Sequence, residues 1–196
     1  MVIEMKKSTI VILSVVGVLV ILIVGVLGWS VSAYNGIQSS KAEAEQKASD
    51  IQTQLQRRND LIPNLVSTVK GYASHEEEIF TAVAEARSKL NDATAMTQDQ
   101  AQASAELSSA LSRLLMIVEN YPDLKANENF LSLQAQLEGT ENRINIARQD
   151  YNAAVKEYNL KLRRFPSNII AGMFGFEEKP SFEGAAGIET PPSVGF

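Results

Sequence analysis

The side chains best suited to chemistry in this chain of 196 residues are few and lie in two short runs. Arg57-Arg58-Asn59-Asp60 sets two guanidiniums beside a carboxylate, a group able to pair ions or dock a charged partner. The plainer interpretation, a solvated charged face ahead of Pro63, is the one preferred from sequence. His75, followed by Glu76, Glu77 and Glu78, raises metal binding or acid–base work. Adjacent residues point in different directions around a helix start, however, and carboxylates there complement the helix dipole. His75 is therefore read as structural. It is the only histidine and there is no cysteine, so a His-pair metal motif and a thiolate nucleophile are excluded. No glycine-rich phosphate loop, catalytic carboxylate pair or hydrolase elbow is present. The chain is read as non-enzymatic, with no catalytic residue, metal ligand or cofactor site.

Helices must position whatever these residues do. From Lys41 to Arg164 the only breakers are Pro63, Gly71, Pro122 and Gly139. Pro63 is expected to interrupt or kink the first helix near Asn59, and Gly71 to end it. Ser74 and Glu77 form an S-x-x-E capping box opening a helix with Ile79, Phe80, Val83, Ala86 and Leu90 on one face. Thr97 with Gln100 gives a second box, ahead of Leu107, Leu111, Leu114, Leu115 and Val118. Pro122 stops that helix by Tyr121.

The last helix is expected from Asp123 to Arg164. Along it Phe130, Leu137, Ile144, Tyr151, Tyr158 and Phe165 recur every seven residues, with Leu133, Ala147 and Ala154 at the second core position. That period predicts coiled-coil-like packing. Thr140 takes a core slot beside Gly139, where close approach of another helix is expected. Asn152 and Asn159 repeat at the edge of the tyrosine face, a pattern of packing and register. Glu141, Asp150 and Glu157 among Arg143, Arg148 and Lys156 predict exposed pairs within the helix. The fold class is all-α: an N-terminal transmembrane helix, then an up-and-down bundle of four helices, or three long ones if Gly71 bends the chain without reversing it.

The anchor is the clearest element. No charged residue occurs from Ser8 to Ser40. Ile10, Val11, Ile12, Leu13, Val15, Val16, Val18, Leu19, Val20, Ile21, Leu22, Ile23, Val24, Val26 and Leu27, with Trp29 at the rim, would span roughly 30 Å as a helix, the thickness of a bilayer core. Lys6 and Lys7 precede it, so the positive-inside rule puts the N-terminus in the cytoplasm and the rest outside. A cleaved signal ending near Val31-Ser32-Ala33 is the alternative, disfavoured because a signal core runs about 7 to 15 residues. The chain divides into a cytoplasmic stretch 1–9, a span 10–29, a bundle 30–165 and a tail 166–196. The net charge of −5 disfavours nucleic acid.

The tail changes composition, with Pro166, Pro180, Pro191 and Pro192 among many glycines. By composition it is a flexible segment. Ile169, Ile170, Met173, Phe174 and Phe176 are nonetheless apolar enough to pack on the bundle, touch the bilayer or bind a second copy.

The run from Gln56 to Val66, then Val69-Lys70-Gly71-Tyr72 and His75-Glu76, resembles the first signature of the LemA family of bacterial membrane proteins. Glu119 to Asn127 followed by Phe130 resembles the second. Leu137-Glu138-Gly139-Thr140-Glu141-Asn142-Arg143-Ile144, Ala147-Arg148, Tyr151-Asn152, Tyr158-Asn159 and Phe165-Pro166 extend the pattern. The resemblance implies one N-terminal membrane helix before a helical bundle in the bacterial inner membrane, and no known enzymatic activity. It also implies a short extracellular N-terminus, against the cytoplasmic one that the lysines favour. Candidate interaction residues are Arg57, Arg58, Asn120, Tyr121 and Asn127 in these motifs, with Ile169, Ile170, Met173, Phe174 and Phe176 in the tail. The expected function is a membrane-anchored envelope scaffold, with lipid, further copies of itself and envelope proteins as partners. The alternative is a membrane-shaping protein forming ordered arrays, and a cryptic enzyme or ligand binder is the least favoured reading.

Overall fold

The computed structural model describes residues 7–182, with residues 7–11 described by backbone alone. The expected stretch 1–9 before Lys7, the side chains of Ile10 and Val11, and the tail beyond Phe182 lie outside the described residues. Six helices and no strand occur among them: α1 (Lys7–Lys70), α2 (Glu77–Asp92), α3 (Gln98–Val118), α4 (Pro122–Lys125), α5 (Glu128–Arg163) and α6 (Ser167–Met173). The all-α expectation holds. The described residues fall into two compact units, the first built from residues 7–42 and 157–179, the second from 43–156 and 180–182.

In the second unit, side-chain cross-links give the directions of the helices. Lys47 bonds Asp150 and Arg58 bonds Glu141, so α1 and α5 run antiparallel. Gln52 pairs with Gln100 and Arg58 with Ser104, so α1 and α3 run parallel. Lys89 on α2 meets Glu106 on α3, and Arg87 meets Asn59 on α1. The topology is up-down-up-down with four long helices, and the chain does reverse after Gly71. One core joins Leu65 and Val69 to Phe80, Val83, Leu107, Leu114, Phe130 and Leu137. Another joins Ala44, Ile51 and Leu55 to Ile144, Ala147, Tyr151 and Val155. The seven-residue face of α5 is buried as expected from Phe130 through Tyr158, and Thr140 is buried with it.

Several local expectations are corrected. Pro63 does not interrupt α1, which is helical from Lys7 through Lys70; a proline leaves one acceptor of the ladder unpaired, and packing of Ile62 and Leu65 offsets that cost. Ser74 does not cap α2. The cap position is Glu76, which makes no side-chain bond, and the chain from Gly71 to His75 forms turns instead. Thr97 does cap α3, accepting the Gln100 N–H, while the Gln100 side chain accepts the N–H of Met96. Met96 takes a left-handed φ of 62° to make this turn. The expected helix from Asp123 is divided: α4 is one turn, and Asn127 restarts the chain by accepting the Phe130 N–H with Oδ1. Gly139 is not a close-approach point, since a Cβ there would meet nothing within 4 Å. Phe165 is 81% exposed rather than core, because α5 ends at Arg163.

In the first unit, Ile37 of α1 packs on Tyr158 and Leu162 of α5 and on Ile170 and Ala171 of α6. The tail is not a bare flexible segment up to Phe182. Residues 167–173 form α6 and bury two side chains, a helix that glycine and proline content concealed. Replacing Thr97 by Ala should lower unfolding stability by about 1 kcal/mol, whereas Ser74→Ala should leave it unchanged. Urea titrations of the two variants check this, and equal losses would contradict the assignment.

Candidate functional site

Arg58 is the centre of the signature residues. It occupies the series Ile37, Ala44, Ile51, Arg58, Leu65, whose members are all buried and spaced by seven, and its side chain is only 1% exposed. The expectation of a solvated face is therefore wrong for Arg58, although Arg57 beside it is exposed. The guanidinium donates through Nη1 to Glu141 Oε2 at 2.7 Å and Ser108 Oγ at 3.1 Å, and through Nη2 to Ser104 Oγ at 2.8 Å. Arg148 Nη2 donates to the same Ser104 Oγ at 3.0 Å. Burial pulls Arg148 below the usual guanidinium value; Glu141 opposes that shift and Arg58 adds to it. Next to Arg58, Asn59 is buried, donating to Asn91 Oδ1 and accepting from Arg87 Nε.

Glu141 and Asp150 thus pair between helices, contrary to the expected intrahelical pattern; Glu157 alone follows it, with Lys161. Geometry explains the difference. Both carboxylates lie beside a seam where a long basic side chain from α1 can reach them.

In the second unit Asn152 grips the tail. Its Oδ1 accepts the Phe182 N–H at 2.7 Å and its Nδ2 donates to the Phe182 carbonyl at 3.0 Å, while the Tyr151 hydroxyl donates to the Pro180 carbonyl at 3.1 Å. Arg148 lies 4.8 Å over the Phe182 ring, which is buried. In the first unit Asn159 makes the same two bonds to the backbone of Lys179, and Tyr158 donates to the Glu177 carbonyl. Arg163 forks onto Glu178 and holds that carboxyl below its usual value, chiefly by hydrogen bonding. Sequence reading missed both clamps. The visible signal was the repeated Tyr-Asn pair, in which asparagine supplies a donor and an acceptor spaced like a peptide unit.

The remaining candidates are dispersed. Asn120 is exposed. Tyr121 donates to Glu76 Oε1 at 3.2 Å, and desolvation first, then that carboxylate, raises its phenol. Asn127 donates to the Tyr72 hydroxyl. His75 is exposed, and among the described residues no group of three or more metal-ligating side chains gathers. Ile170 is buried inside the first unit, Phe176 is half-buried there, and Ile169, Met173 and Phe174 are exposed. The anchor side chains from Ile12 to Leu27 face outward, none buried, on a helix long and apolar enough to cross a membrane.

What these side chains do together is tie helices and tail in place. The fold and the anchor define a class of membrane-associated, all-α proteins in which one long helix carries an apolar span and also supplies the first helix of a four-helix unit. The chain belongs to the LemA family, whose model matches residues 47–196. It is 27% identical to magnetosome protein MamQ 2 of Paramagnetospirillum magneticum over 81% of this chain and 67% of that protein. It is 26% identical to magnetosome protein MamQ of Magnetospirillum gryphiswaldense over the same shares, and 25% identical to protein LemA of Metamycoplasma hominis over 70% of this chain and 63% of that one. None of these three names is that of an enzyme.

Two outcomes are expected. Arg58→Lys removes the fork that reaches three acceptors and should cost about 1–3 kcal/mol, while Arg57→Lys should cost nothing measurable, in chemical denaturation. The Glu178 carboxyl is depressed in the folded state, so its contribution is present above the ordinary carboxylate pKa and fades as pH falls through the folded value. The protection of the Lys179 amide against hydrogen exchange, taken relative to the intrinsic rate at each pH, should fall on acidification below the ordinary carboxylate range, and Glu178→Gln should abolish that dependence.

Proposed function

We propose that the protein is a non-enzymatic, membrane-anchored scaffold of the bacterial envelope that acts by self-association and by recruiting envelope proteins. The observation that carries this reading is the use of the signature residues. Arg58, Asn59, Glu141, Tyr151 and Asn152 are engaged with other parts of the same unit, fixing helix register and tail rather than converging on an open pocket. Such a module presents a rigid surface instead of a reaction centre. Lipid and further copies of the chain are its first partners, and an acidic balance gives nucleic acid no footprint. The chain sits in the inner membrane by the apolar span, with Lys6 and Lys7 inside and the bundle outside.

A second reading, membrane shaping by ordered arrays, is favoured by the similarity to proteins named for magnetosomes. Purified full-length protein in mild detergent should elute as an oligomer by mass-resolved chromatography. A monodisperse monomer would contradict both readings, and large lipid-retaining particles would select the second. Ser49 is exposed, so Ser49→Cys in this cysteine-free chain reports orientation. Labelling by an impermeant thiol reagent in outer-membrane-permeabilised cells is expected, and its absence places the bundle on the cytoplasmic side.

A further inference from the structure

We propose that α6 and the residues flanking it form a second membrane contact, a foot that lays Phe165, Ile169, Met173 and Phe174 into the headgroup layer beside the α1 span. This rests on reading α1 as membrane-spanning. All the parts belong to the first unit. The stretch from Phe165 to Phe176 carries no charged residue, is the longest such run in the sequence outside the anchor region, and is bounded on both sides by charges, Arg164 and Glu177. Within it, Ile170 and Ala171 face inward onto Ile37, Tyr158 and Leu162, while Phe165 is 81%, Ile169 51%, Met173 74% and Phe174 59% exposed. Four large apolar side chains on a dozen residues are costly in water and suited to an interface.

Position decides what covers them. The Phe174 ring lies 4.8 Å from the Tyr34 ring, and the Phe176 ring 5.6 Å from it. Tyr34 follows Trp29 by five residues, about 7.5 Å along the helix. Helical side chains lean toward the N-terminus, so the Tyr34 ring hangs back toward the span. The headgroup layer is roughly 5–7 Å thick on each side of the hydrocarbon core, which brings Phe174 to its depth. The exposed face is thus continuous with the surface that α1 already commits to lipid, and Trp29 and Tyr34 mark the aromatic belt between them. The Arg164 side chain, exposed at the entry to the stretch, is placed to meet lipid phosphates.

The single tryptophan makes the test direct. Full-length protein is reconstituted into phosphatidylcholine vesicles brominated at a shallow acyl position, as wild type and as W29F/F174W and W29F/M173W. Wild-type Trp29 should be strongly quenched by the brominated lipid. Both introduced tryptophans should show blue-shifted emission, quenching of the same order as Trp29, and protection from aqueous iodide. Quenching at Trp29 with iodide-accessible, unquenched tryptophan at both 173 and 174 would overturn the foot and leave the anchor standing. Protection from both quenchers would also overturn it, showing that a second copy covers the face. Absence of lipid quenching at Trp29 itself would instead refute the spanning helix on which the proposal rests.

Discussion

A guanidinium withdrawn from water must meet acceptors at fixed places, and Arg58 imposes that demand at the middle of the second unit. It stands in a row of aliphatic core positions, with Glu141 supplying charge from α5 and Ser104 and Ser108 supplying oxygens from α3. Desolvating a charge costs several kcal/mol unless partners are well placed. A shift of α1 by one turn would leave Arg58 among apolar side chains and Glu141 without it. The hydrophobic seams tolerate sliding by a heptad, since Ile, Leu and Val present similar surfaces; the polar node does not. Arg58 therefore locks register among three helices, together with the Lys47–Asp150 and Gln52–Gln100 links, as a polar core residue fixes register in a coiled coil.

The second arginine adds to the constraint. Arg148 shares Ser104 with Arg58, and its guanidinium lies over the Phe182 ring. Two cations at one serine, with a single nearby carboxylate, hold the local arrangement to a narrow range of geometries. The same guanidinium thus joins the polar node of the bundle to the seating of the tail.

Much of this fold was legible, and the reasons are particular. Periodicity exposed the buried face of α5 because Phe130, Leu137, Ile144, Tyr151 and Tyr158 keep strict spacing and large apolar surface. Thr97 was recognisable as a cap because its hydroxyl has a local partner, Gln100, three residues on. Ser74 shows the same spacing without the bond, since the tight turns after Gly71 draw the backbone elsewhere. Arg58 was misjudged by residue type. Its place in the row Ile51, Arg58, Leu65 points to burial, while its charge points to solvent, and position decides. The break that separates the first turn of the expected last helix from the rest carried a signal in Asn127, since asparagine serves a helix interior poorly but a helix start well. The clamps are legible on one side only: the Tyr-Asn repeat marks the gripping residues, whereas the groups they grip are main-chain atoms 19 to 30 positions further on, which leave no trace in the side-chain pattern of the tail.

That last property of the clamps governs how the C-terminal segment can change. Tyr151 and Asn152 recognise carbonyls and an amide of the tail, and those groups are the same whatever residue carries them. Among the described residues of the tail, Phe182 contributes a side chain to the seat, and Ser181 beside it is exposed. At this seat the tail is read by its course rather than its spelling, so an exposed position such as Ser181 is open to drift, or to an inserted label, without loosening the grip.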